Sequence, residues 1–128
     1  MIALIMAAAT AFAPLTGDFD HDGWPDKAQI VAHRGGYVLR VTRGADPGHP
    51  VTIWDYGRTR PENAFVDTAR AGRFQTACGK GYYGRETGRC SRDWITLRKG
   101  DLSFGYLESS DAVAVWNGRR FGVEWMSD

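Results

Sequence analysis

Four aspartates fall within nine residues near the start of the chain, in Asp18-Phe19-Asp20-His21-Asp22-Gly23-Trp24-Pro25-Asp26. Alternation places the carboxylates of Asp18, Asp20 and Asp22 on the inner rim of a tight turn. Gly23 permits the sharp reversal, Trp24 offers its backbone carbonyl, and Asp26 closes the cage. A ligand set made only of oxygens suits a hard divalent cation. Calcium suits it better than magnesium, which demands tighter octahedral geometry and keeps more of its water. Carboxylates packed this closely repel one another, so the turn is expected to need a counter-ion; the alternative is a solvated turn in which Asp and Gly serve the backbone alone. The expected role of the ion is structural, fixing the start of the strand that follows. His21, between two ligand positions, is expected to point outward at the surface.

A calcium EF-hand would carry a bidentate Glu at the twelfth loop position, where this chain has Gln29, and would continue as helix rather than as the β-like run Ile30-Val31-Ala32-His33. The segment resembles instead the calcium-binding turn of FG-GAP and VCBS-type repeats, in which Gly-Asp-x-Asp-x-Asp-Gly-x-x-Asp leads straight into a strand. Gly17 to Asp26 match that pattern at every marked position, in a single copy. The resemblance implies a bound Ca²⁺ and a strand directly after the loop.

Cys78 and Cys90 are the only cysteines, an even pair across a short glycine-rich segment, which reads as one disulfide in an oxidising compartment. Zinc would need two further ligands, and no histidine lies nearby; the Cys-x-x-Cys spacing of a redox pair is absent. Between the cysteines, Lys80, Tyr82, Tyr83, Arg85 and Arg89 alternate with glycines. Tyrosine supplies contact area at small entropic cost and arginine supplies bidentate hydrogen bonds, so this is a candidate binding loop; the alternative is a flexible connection. Charge gathers around it. From Arg70 to Lys99 eight basic residues face two acidic ones, a local +6 that leaves −5 for the rest of a chain whose net charge is +1. An anionic ligand or a protein in the cell envelope fits that loop. Nucleic acid does not, given the acidic remainder and the expected export.

The elements that must hold these features read as strands. Residues 1–13 form an apolar run ending in Ala-Phe-Ala, resembling a secretory leader, with cleavage after Ala11 as a second position; the run is too short to span a bilayer. Periplasmic or secreted localisation follows. Residues 14–128 are long enough for one core. Apolar residues there alternate with period two: Ala28, Ile30, Ala32; Tyr37, Leu39, Val41; Val51, Ile53; Ile95, Leu97; Leu102, Phe104, Tyr106; Val113, Val115; Phe121, Val123, Trp125. Gly35-Gly36, Lys99-Gly100 and Asn117-Gly118 supply turns, the last as a two-residue hairpin signal. Only residues 61–70 carry a helical spacing, Phe65 to Ala69. The expected fold is all-β, an antiparallel meander forming a curved sheet or small sandwich, with the calcium turn at its start and the disulfide loop projecting midway. Trp54, Trp94, Trp116 and Trp125 fall in strand-like runs and are expected in packing. Trp94 and Trp116 lie opposite the main apolar sets, which leaves room for a second packed layer.

Catalytic motifs are missing: no Gly-x-Ser-x-Gly elbow, no His-Glu-x-x-His helix and no phosphate-cradling glycine loop. His33 is expected to end a strand at the surface and His49 to sit in a turn. Three function classes follow: a non-catalytic calcium-stabilised binding or accessory module; an inhibitor or immunity protein whose disulfide-pinned loop plugs a hydrolase or toxin; and a hydrolase built on two of Asp55, Glu62, Asp67, Glu108 and Asp111.

Overall fold

The structure, a computed structural model, describes residues 12–82 and 90–127. Residues 1–11 of the leader-like run and residues 83–89 of the disulfide loop lie outside the described residues.

Ten strands are present among them: β1 (Leu15–Gly17), β2 (Asp26–His33), β3 (Gly36–Thr42), β4 (Val51–Gly57), β5 (Ala64–Thr68), β6 (Gly72–Gln75), β7 (Trp94–Leu97), β8 (Leu102–Tyr106), β9 (Asp111–Trp116) and β10 (Phe121–Trp125). The fold is all-β and every pairing is antiparallel. β1 to β4 form a sequential four-stranded sheet, β10-β9-β8-β5 a second, and β6-β7 a two-stranded hairpin. That hairpin is inserted between β5 and β8, so Lys99-Gly100 does not join paired strands; it carries the chain from the hairpin back to the second sheet.

The second sheet is the middle layer. On one face Leu102, Phe104, Ala112 and Ala114 pack against Ala28, Ile30, Leu39, Val41 and Ile53 of the first sheet, with Phe19 from the aspartate loop in the same core. On the other, Val113 meets Ile95 and Leu97 of the hairpin and Met126. Ala112, Val113 and Ala114 are therefore all buried, which removes the in-out contrast on which alternation depends. The Val113/Val115 face serves the smaller core, and Trp116 shares the main-core face, 4.9 Å from Phe121. In β4 the register skips Ile53 and Tyr56 opposite β3. These two bulges put Ile53, Trp54 and Tyr56 all toward the main core, where Trp54 meets Trp125 edge-on at 4.9 Å.

Three local expectations are corrected. Residues 61–70 hold strand β5, not helix: Ala64 and Val66 alternate into the main core and Phe65 pairs with Gly105, so the four-residue spacing is incidental. The first tight turn is Arg34-Gly35, both at positive φ (51° and 78°), with Gly36 already paired to His33 in the ladder. The β9–β10 loop spans Asn117 to Arg120, since Trp116 pairs with Phe121; the Asn117 side chain accepts from the backbone N–H groups of Arg119 and Arg120 at 2.9 and 3.0 Å. No helix among the described residues is long and apolar enough to cross a membrane.

Candidate functional site

The aspartate loop joins β1 to β2 and folds back through its own side chains. Asp18 accepts from the backbone N–H groups of Asp22 at 3.1 Å and Gly23 at 2.9 Å. Asp22 accepts from that of Trp24 at 2.9 Å. Such Asx turns exploit the short aspartate side chain. His21 and Gly23 take positive φ, 57° and 86°, a conformation that costs glycine little and a histidine more. The result brings one carboxylate oxygen from each of Asp18, Asp20 and Asp22 within 4.8 Å of one another, and these three make the one group among the described residues that could hold a metal ion.

Asp26 stands apart from that group. It is 1% exposed, and both its oxygens are committed to backbone: one accepts from Phe19 at 2.8 Å and Asp20 at 3.3 Å, the other from Gly44 at 2.8 Å. Gly44 fits because a Cβ there would lie 2.2 Å from the Pro25 carbonyl oxygen. Asp26 thus staples the loop to the segment after β3. Trp24 contributes its N–H to the turn while its ring is exposed.

Two residues that hold the loop have no signature in the local sequence. Arg43, just after β3, donates through Nε to Asp20 at 2.6 Å and lies 4.1 Å over the Trp116 ring of the second sheet. His21 is not an outward surface residue: its Nε2 is 2.7 Å from Oδ1 of the fully buried Asp101, whose other oxygen accepts from the Arg98 backbone at 2.7 Å. His21 and Arg43 therefore tie the loop to the second sheet and to the turn leading into it. A histidine inside an Asp-rich turn was the only available hint of the first contact; for Arg43 no signal exists in sequence.

Charge in the loop is unevenly settled. Burial works to raise the Asp20 pKa, but the hydrogen bond from Arg43 and those within the loop hold it below the ordinary carboxylate value. At Asp22 the Trp24 N–H pulls downward, yet desolvation and the neighbouring Asp20 and Asp18 outweigh it and the carboxyl sits above that value. Asp26 is raised, chiefly by burial, against the pull of its backbone donors. With Arg43 paired to Asp20, three ionised carboxylates leave the group two charges negative, which one divalent ion would balance. The donor set fits a hard cation and offers no nitrogen or sulfur.

The second candidate region is the end of the β6–β7 hairpin. Cys78 and Cys90 form a disulfide with a Cα–Cα distance of 5.3 Å. The stem beneath it is fixed independently of that bond. Thr76 N–H donates to the Asp93 carbonyl at 2.9 Å, Ala77 to Trp125 at 2.9 Å, Lys80 to Thr76 at 3.0 Å and Tyr82 to Ala77 at 3.0 Å. The Thr76 hydroxyl reaches the Arg92 carbonyl at 2.7 Å. Lys80, a candidate contact residue, spends its ammonium on the Met126 carbonyl at 2.7 Å and anchors the stem. Tyr82 is 51% exposed and Trp94 45%, with the Arg73 guanidinium 4.4 Å over the Trp94 ring. Among the described residues Arg70, Arg73, Arg98 and Lys99 have no ion-pair partner. Tyr83, Arg85 and Arg89 lie outside the described residues.

Four of the five carboxylates considered for hydrolysis have protein partners, and no two of them bond the same group. Asp55 accepts from the Gly57 backbone, Asp67 from Thr68, Glu62 pairs with Arg60, and Asp111 accepts from the Ser127 hydroxyl; Glu108 sits at positive φ in the β8–β9 turn. His33 ends β2 and accepts from Arg40 at 3.2 Å, and His49 bonds Asp46 at 2.7 Å within the β3–β4 loop. Comparison with protein-family models, curated proteins and solved structures finds no match for this chain.

Proposed function

We propose that this chain is an exported, calcium-stabilised β-domain that acts as a non-catalytic binding or accessory module, with the basic Tyr/Gly loop between Cys78 and Cys90 and the adjoining face of the β6–β7 hairpin as its contact surface. One observation carries the reading: two exposed aromatic rings, Tyr82 and Trp94, sit on a hydrogen-bonded stem, and Arg73, stacked over Trp94, has no ion-pair partner among the described residues. Exposed rings of this size add little to a core, whereas aromatic and arginine side chains on a rigid support are what binding surfaces concentrate. An acidic partner fits the charge. The converging carboxylates of Asp18, Asp20 and Asp22 support the calcium part, with Asp26 as buried staple beside them; the likeness to FG-GAP and VCBS-type turns agrees. The disulfide supports an oxidising compartment. Phe12 packs against the main core and its carbonyl accepts from the Gln29 side chain at 2.7 Å, which favours leader cleavage after Ala11 over cleavage after Ala13.

The test is capture from envelope extract on the immobilised domain, with Arg85→Ser/Arg89→Ser and Trp94→Ala variants alongside. The proposal expects one acidic species retained by the wild type and lost from both variants at unchanged melting temperature. Equal recovery by all three would remove the contact surface from the account.

A further inference from the structure

On the other side of the β6–β7 hairpin, facing the middle sheet, lies a cleft of about 420 Å³ that shares no lining residue with the aspartate loop. It arises because a two-stranded hairpin is too narrow to cover a four-stranded sheet. Its floor is the smaller core: Leu97, Val113 and Met126 are 5%, 2% and 7% exposed, with Phe74 beside them. At one wall Arg70 lies 5.7 Å from the Phe74 ring centre and has no ion-pair partner among the described residues. At the Met126 end stand Lys80, with one N–H on the Met126 carbonyl, and Asp111, whose carboxylate accepts from Ser127.

We propose that this cleft is a binding site for a small organic monoanion, a carboxylate with a short apolar body. The volume falls in the range of small-ligand sites, roughly 300–1,000 Å³. The planar guanidinium of Arg70 matches a carboxylate in bidentate fashion, and the apolar floor takes the carbon chain. Two cations against one carboxylate leave the lining with a single net positive charge; a dianion such as a phosphate monoester would meet Asp111 with its second charge. This site does not depend on calcium or on the loop tip.

The experiment is an amide NMR titration of the full domain with sodium hexanoate, using sodium acetate as head group alone and hexan-1-ol as chain alone. Saturable shifts confined to the amides of Arg70, Phe74, Val113 and their neighbours are expected, with a dissociation constant of about millimolar order for so small a ligand. Acetate and hexanol should each bind at least about fivefold more weakly. Arg70→Gln, a change at an exposed position, should weaken hexanoate at least about fivefold while the melting temperature holds. The Arg85→Ser/Arg89→Ser variant should bind hexanoate like the wild type, which separates this site from the loop surface. Shifts that never saturate, shifts scattered over the domain, or equal binding by Arg70→Gln would each overturn the proposal.

Discussion

Asp26→Asn separates a buried staple from a metal ligand. The wild-type carboxylate is 1% exposed and accepts three backbone N–H groups, from Phe19, Asp20 and Gly44. An asparagine there has one acceptor oxygen. Whichever way the amide lies, its NH₂ faces either the Gly44 donor or the Phe19/Asp20 pair, so at least one buried N–H loses its acceptor. Losing a hydrogen bond to a charged group costs about 1.5–3 kcal/mol, and orphaning a buried donor about 1–3 kcal/mol. One relief acts the other way: burial holds the Asp26 carboxyl above the ordinary range, so the neutral side chain no longer confines a charge. The net expectation is a loss of about 2 kcal/mol, or roughly 8 °C in melting temperature for a domain of this size. Urea and thermal denaturation in EDTA and in calcium are the assay. The loss should appear in both buffers, whereas Asp22→Asn, whose amide oxygen can still accept from the Trp24 N–H, should lower stability chiefly where calcium is present. An Asp26→Asn protein as stable as the wild type in EDTA would refute the staple.

His21→Ala, Asp101→Ala and the double variant form a thermodynamic cycle across the 2.7 Å contact between loop and middle sheet; a coupling of about 1–2 kcal/mol is expected, and a value within error of zero would mean the contact does not hold the loop. Arg43 lies between Asp20 and the Trp116 ring, so in a Trp24→Phe background, which removes the loop's own indole, calcium should change tryptophan emission through Trp116, and the change should vanish when Trp116→Phe is added. The Asp46 carboxylate raises the His49 pKa above the ordinary imidazole value. NMR titration should find it there, and Asp46→Asn should return it to normal. A raised histidine pKa favours the folded state below the unfolded value and loses that contribution as pH rises through the folded one; both groups are so exposed that the melting temperature should not move with the substitution.

Most of the architecture was legible because most strands bury one face. Ala28, Ile30, Leu39 and Val41 alternate as read, and all four lie in the main core. The reading failed where that premise failed. β9 is covered on both sides, so Val113 and Val115 did not reveal which face was the main core, and bulges in β4 turned Ile53 and Trp54 to the same side. Residues 61–70 misled because a single four-residue spacing outweighed the β-branched Val66 and Thr68, whose strand is fixed by distant pairing with β8. At the candidate metal centre, aspartate spacing located the loop and three converging carboxylates. It did not separate Asp26, whose role depends on Gly44, eighteen residues on, nor did it find Arg43 or Asp101, which only the folded chain brings to the loop. The loop's pairing partners are long-range and carry no local pattern.

Isothermal titration of calcium into metal-free protein bears most directly on the metal centre. One ion per chain should bind, with the heat abolished by Asp18→Asn. Calcium at a hundred times its dissociation constant should then stabilise the fold by about 2.7 kcal/mol, near 10 °C in melting temperature. No heat on titration, with superimposable melting curves in calcium and EDTA, would contradict the account.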